Sequence, residues 1–107
     1  GELETVGRLG LPVTIIQFNN ACFGWIKVSQ NLLHGGRCFG VDFSADTDHA
    51  AIAQGFGLRG VRVEDPAKVE PALEAALAAD RPTFIDIVTE CETSELPPVE
   101  KFHRARN

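Results

Sequence analysis

The 107 residues carry 15 acidic and 10 basic side chains, a formal charge of −5, with 44% apolar and 23% charged residues. These proportions fit one small globular domain, and the acidic balance argues against a nucleic-acid or anionic-membrane partner. No apolar run approaches the ~20 residues that span a bilayer, and the opening Gly1-Glu-Leu-Glu-Thr lacks the basic and apolar regions of a signal peptide, so a cytoplasmic chain is expected.

Cys22, Cys38 and Cys91 are odd in number and widely spaced, with no CxxC pair, so three reduced thiols are expected rather than a disulfide framework or a zinc site. The chain has no Met and opens on a helical pattern, as part of a longer protein would.

In chain order, Leu3, Val6 and Leu9 lie at helical spacing across Glu2 to Leu9, and Gly10 with Pro12 ends that helix. Val13 to Phe18 is apolar and β-branched almost throughout, the pattern of a strand buried on both faces of a parallel sheet. Asn19-Asn20 stops it. Ala21-Cys22-Phe23-Gly24 reads as a loop, and Trp25 to Leu33 as a helix with Trp25, Ile26, Ser29, Leu32 and Leu33 on one face. His34-Gly35-Gly36-Arg37 breaks that helix, and Cys38 to Ser44 follows as an extended or looped crossing.

A helix capped by Ser44 or Asp46 runs to about Phe56 with Ala50, Ile52, Ala53 and Phe56 inward. Leu58 to Val63 alternates as a short strand. Asp65-Pro66 then sets a cap before a first-turn proline, opening a helix with Val69, Leu73, Ala76 and Leu77 as its buried stripe. Asp80-Arg81-Pro82 leads into a last buried strand, Thr83 to Thr89, in which Asp86 is the one charged residue. Beyond Glu90 come acidic residues, Pro97-Pro98 and the basic run Lys101 to Arg106. The reading is a domain over residues 1–90 and a loosely attached arm over 91–107. The alternation of helices and three strands gives an α/β fold, a parallel sheet flanked by helices on both faces.

Paired amides at the carboxyl end of a buried strand sit where open α/β sheets bind ligands. The Asn20 side-chain oxygen is a hard neutral ligand suited to Mg²⁺, and the backbone carbonyl of Cys22 could face the same ion. From spacing alone the same amides read first as turn residues, since Asn tolerates left-handed backbone and caps its own chain. Trp25 and Ile26 are either pocket walls or ordinary core. His34, Arg37 and His49 each stand without a partner at readable spacing and read as surface residues, as does His103 in the tail. Asp42 reads as a loop cap and Asp86 as a satisfied buried carboxylate. No Ser-His-Asp order, Walker A loop or dinucleotide fingerprint is present.

Taken together, Glu2-Leu-Glu-Thr, Arg8-Leu-Gly-Leu-Pro-Val-Thr-Ile-Ile, Phe18-Asn-Asn, Phe23-Gly-Trp-Ile-Lys and Gly60-Val-Arg-Val-Glu-Asp-Pro resemble the thiamine-diphosphate enzymes of the acetolactate synthase type. The resemblance covers Glu2 to about Pro98 and corresponds to the later part of that family's C-terminal diphosphate-binding domain. It implies a thiamine-diphosphate-binding fold truncated on its N-terminal side. The family's cofactor motif runs from a Gly-Asp-Gly to an Asn-Asn, which Asn19-Asn20 match, while the Gly-Asp-Gly half would fall before Gly1.

By that resemblance Asn20 supplies a side-chain oxygen and Cys22 a main-chain oxygen to Mg²⁺. Phe23, Trp25 and Ile26 then lie along the segment that leads past the cofactor and substrate. The pyrimidine-binding domain, which in the family comes from the opposing subunit, is not among these residues. The chain is therefore expected to be a cofactor half-site of a 2-oxo acid decarboxylase or carboligase, with thiamine diphosphate and Mg²⁺ as cofactors of the complete enzyme. Its expected partners are a second copy of itself or the remaining domains of a parent enzyme. The alternative is a non-catalytic α/β module that buries its apolar faces by self-association.

Overall fold

A computed structural model describes residues 1–91 and Thr93; the predicted Pro97-Pro98 stretch, the basic run from Lys101 and His103 lie outside them. The elements in order are α1 (Glu2–Leu9), β1 (Thr14–Asn19), α2 (Gly24–Leu33), α3 (His49–Gly55), β2 (Arg59–Val63), a 3₁₀ turn (Pro66–Lys68), α4 (Val69–Ala78) and β3 (Thr83–Val88). Every element type read from the sequence is present. The described residues divide into two compact units, Gly1–Asn19 with Asp46–Thr89, and Asn20–Ala45 with Glu90, Cys91 and Thr93.

The first unit is built on a three-stranded parallel sheet in the order β1-β3-β2. β3 is central and almost wholly buried, with Thr83, Phe84, Ile85, Asp86 and Ile87 all inside. Alternation of side chains sends successive β3 residues to opposite faces. On one face Phe84 packs with Ala53 and Leu58, joined by Leu3 and Val6 of α1 and Ile15 of β1. On the other, Ile85 and Ile87 pack with Val61, Val63 and the α4 residues Val69, Ala72, Leu73 and Ala76. The expected two-faced cover is thus real.

Its extent is less than expected. Ile16 and Phe18 pair in register with Ile85 and Ile87 and so project from the α4 face, yet Phe18 is 72% exposed. β1 is an edge strand, and among the described residues α4 covers only the β2 and β3 side of that face. Ile52, Phe56 and Leu77, expected inward, are likewise exposed, because α3 and α4 each turn a narrower stripe to the sheet. On α3 that stripe is Ala50 and Ala53, and the alanines allow close approach: a Cβ on Gly60 would strike the Ala50 carbonyl. The α3 cap is Asp48, not Ser44 or Asp46; its Oδ1 accepts from the Ala51 N–H at 2.9 Å. Arg62 Nη1 donates to the Thr47 carbonyl at 3.0 Å, which ties the preceding residues outside the helix. The Asp65-Pro66 start is as expected, with Asp65 Oδ1 accepting from the Ala67 N–H at 3.0 Å.

In the second unit, α2 buries Val28, while Trp25, Ile26 and Leu33 are exposed. The crossing read as extended is held at one point, where Asp42 bridges Cys22 in antiparallel fashion. Gln30 fastens the same crossing through both ends of its amide, to the N–H of Phe39 at 2.9 Å and its carbonyl at 3.2 Å. The cysteines depart from expectation, since Cys22 and Cys91 form a disulfide and Cys38 alone is a free thiol. The two are 69 residues apart, a separation at which sequence carries no signal of pairing. No described helix is long and apolar enough to cross a membrane.

Candidate functional site

β1 ends at Asn19, and the chain then enters a turn whose second residue, Ala21, has a positive φ of 53°. An alanine in the left-handed region costs about 1–2 kcal/mol, so its surroundings must hold it there. Cys22 N–H donates to Asn20 Oδ1 at 3.2 Å, closing the turn through the side chain. Phe23 N–H donates to the Val41 carbonyl and Phe43 N–H to the Ala21 carbonyl, both at 2.8 Å. The Phe23 and Phe43 rings meet edge to face with centroids 4.5 Å apart. Lys27 Nζ reaches Asp42 Oδ1 at 2.6 Å, and that hydrogen bond holds the Lys27 amine above its ordinary pKa. Asp42, read as a loop cap, is instead one half of this ion pair.

Both readings of Asn20 therefore meet in one geometry. Its carboxamide oxygen does close a turn, and an amide oxygen has a second lone pair left to offer. Gly24 leaves room for the amide, since a Cβ there would lie 3.1 Å from Asn20 Nδ2. Among the described residues no donor reaches the Cys22 carbonyl. Cys22, Phe23, Gly24, Trp25 and Ile26 line a shallow open hollow of about 290 Å³ beside the turn. Trp25 and Ile26 are thus on the surface of a hollow rather than in a core. The donors on offer are neutral and hard, the kind Mg²⁺ takes alongside substrate phosphates. Among the described residues no group of three or more His, Cys, Asp or Glu side chains converges.

A second constellation, in the first unit, was missed from the sequence. Gln17, Asp86 and Arg62 lie in register across β1, β3 and β2. Asp86 is fully buried; its Oδ2 accepts from Arg62 Nη1 and from Asn19 Nδ2, each at 3.3 Å, and among the described residues its Oδ1 has no partner. Gln17 Nε2 and Asn19 Nδ2 approach His49 Nδ1 at 3.0 and 3.3 Å. Both strand amides thus meet His49 at the same ring nitrogen. His49 is therefore no isolated surface histidine, and Asn19 is a strand residue bonded into the sheet rather than a turn residue. The legible signal was the period of two that places polar Gln17 and Asn19 on one face of an apolar strand; the partners depended on register. Arg62 also holds Glu64 at 2.9 Å, and with Asp86 this keeps its guanidinium pKa raised. His34 and Arg37 remain outside both constellations, exposed at the end of α2.

Residues 1–87 match the family described as thiamine pyrophosphate enzyme, C-terminal TPP binding domain. The chain belongs to that family. Thiamine diphosphate is the family's cofactor, and the parallel sheet with its helices is the later part of the thiamine-diphosphate-binding fold. Among relatives, a probable acetolactate synthase large subunit of Methanococcus aeolicus is 31% identical over 103 residues, 94% of this chain and 17% of that protein. An acetolactate synthase of Bacillus subtilis is 34% identical over 80% of this chain and 15% of its own length. A probable sulfoacetaldehyde acetyltransferase of Rhizobium meliloti is 32% identical over 88% of this chain and 17% of its own. The chain thus spans less than a fifth of the length of these relatives.

Proposed function

We propose that this chain is a cofactor-anchoring part of a thiamine-diphosphate-dependent decarboxylase or carboligase acting on a 2-oxo acid, of the acetolactate synthase kind. The observation that carries the reading is the braced turn Asn20–Cys22, which holds Ala21 left-handed and ties the Asn20 carboxamide oxygen to the Cys22 N–H. In this reading Asn20 Oδ1 and the Cys22 carbonyl hold Mg²⁺, and the ion in turn neutralises the diphosphate. Phe23, Trp25 and Ile26 wall the adjoining hollow and keep water from one side of the cofactor. When bound, thiamine diphosphate supplies the electron sink for loss of CO₂ from a 2-oxo acid. The chain's own share is positioning, and the isolated 107 residues carry out no turnover. The domain limits of 1–90 with an arm from 91, and a cytoplasmic setting, belong to the same proposal.

Calorimetric titration of thiamine diphosphate with Mg²⁺ into the whole chain tests it. Saturable binding is expected, weakened about 100-fold or more in Asn20→Ala and less in Asn20→Asp, which keeps an oxygen ligand. Absence of binding to the unaltered chain would overturn the reading.

The exposure of Ile16 and Phe18 on the edge strand favours one further reading, a self-associating module derived from such an enzyme. It predicts association without cofactor, and a chain that stays monomeric at high concentration would exclude it.

A further inference from the structure

We infer that Cys91 is a positioning residue for the proposed cofactor turn, and that its disulfide to Cys22 makes the turn's hold on Mg²⁺ and diphosphate depend on thiol–disulfide state. The inference rests on the cofactor reading above and deepens it. Cys22 is tied at three points: its N–H to Asn20 Oδ1, its backbone opposite Asp42, and its sulfur to Cys91. The first two ties are local, lying within the segment from Asn20 to Phe43. The third alone fastens the turn to a residue 69 positions further along the chain. The residue whose carbonyl is proposed to face the metal is therefore the one whose side chain is covalently held. A ligand's affinity for a metal depends on such supporting partners, whose loss typically weakens binding about 10–100-fold.

The exchange step balances with a small dithiol as reductant. Cys22 is 7% exposed and Cys91 half-buried, so the incoming thiolate attacks Cys91 Sγ. The Cys22–Cys91 bond breaks, a mixed disulfide forms on Cys91, and the pair of electrons leaves on Cys22 Sγ, which takes up a proton. The reductant's second thiolate then attacks its own sulfur in the mixed disulfide, and Cys91 leaves and is protonated. Two electrons and two protons have passed to the protein and the reductant ends as a cyclic disulfide. The reverse, with a disulfide oxidant, closes the turn again. Cys38 takes no part; its thiol is held by Asn31 Oδ1 at 3.1 Å.

The test compares the whole chain oxidised, reduced by dithiothreitol, and reoxidised, alongside Cys91→Ser and Cys38→Ser. Alkylation read by mass gives the number of free thiols. Hydrogen exchange at the Cys22, Phe23 and Phe43 amides reports the turn, and titration with thiamine diphosphate and Mg²⁺ reports affinity. Oxidised chain is expected to show one free thiol, slow exchange and binding that weakens about tenfold on reduction. Reoxidation should restore both in the unaltered chain and in Cys38→Ser, while Cys91→Ser should behave as the reduced form throughout. Three free thiols under oxidising conditions, or equal exchange and affinity in both states, would overturn the inference and leave the cofactor reading standing. No binding in any state would overturn the cofactor reading and, with it, the coupling.

Discussion

Asp86 is the residue on which the first unit's polar row turns, because a wholly buried carboxylate needs a cation beside it. Arg62→Met removes that cation and leaves the charge among Phe84, Gln17 and Asn19. We expect a lowered midpoint in urea unfolding, with Asp86→Asn costing less because the charge itself goes. Ala21→Gly should act in the opposite sense, since glycine takes a φ of 53° without a Cβ penalty. A gain approaching about 1 kcal/mol, read as a raised Tm, is the expected outcome. Lys27 gives a pH signature of known sign. The hydrogen bond to Asp42 raises its pKa on folding, so its contribution is complete below the ordinary lysine value and fades as pH climbs through the raised one. The stability difference between the unaltered chain and Lys27→Met should stay flat from neutral to mildly alkaline pH and shrink only in strong alkali.

Elements meet where small residues let them, and the α3 to β2 contact shows how closely. A Cβ on Gly60 would overlap the Ala50 carbonyl, and backbone on both sides cannot give way cheaply. Gly60→Ala should therefore cost about 1–3 kcal/mol. Gly55, at the end of α3 with open space around it, should gain a few tenths to about 1 kcal/mol on the same change. Thermal unfolding of the two variants in parallel separates a packing requirement from a mere backbone preference. Cap identity behaves differently from packing: Asp65 was legible because proline at the first turn marks the start, whereas Asp48 was hidden among Ser44, Asp46 and Asp48, all able to cap.

At the scale of the whole molecule, the disulfide closes a long loop. Closing 69 residues removes chain entropy worth about 4 kcal/mol from the unfolded ensemble on the loop-closure account, of which native proteins typically realise about 2–4. Reduction should lower the urea midpoint by a corresponding amount, and Cys91→Ser should match it. The exposed Phe18, Trp25 and Phe39 bear on assembly. Sedimentation across a range of concentrations, with Phe18→Lys beside the unaltered chain, distinguishes self-association through the edge of β1 from a surface that other parts of a longer protein cover; loss of association in Phe18→Lys is expected under the first.

Element type and order were determined by the sequence, because period and punctuation are local: β-branched residues from Val13, the stop at Asn19-Asn20, the Asp65-Pro66 start. The family was legible for the same reason, since short runs such as Phe18-Asn-Asn keep their identity whatever surrounds them. Which side of each element is buried was decided by tertiary structure, for exposure depends on how far a neighbouring helix reaches. That is why Phe18 and Leu77 lie outside despite apolar patterns. The polar row required register, which aligns Gln17, Asp86 and Arg62 from three separate strands. The Cys22–Cys91 bond required the folding back of a chain over 69 residues, and no spacing rule encodes where such a path returns.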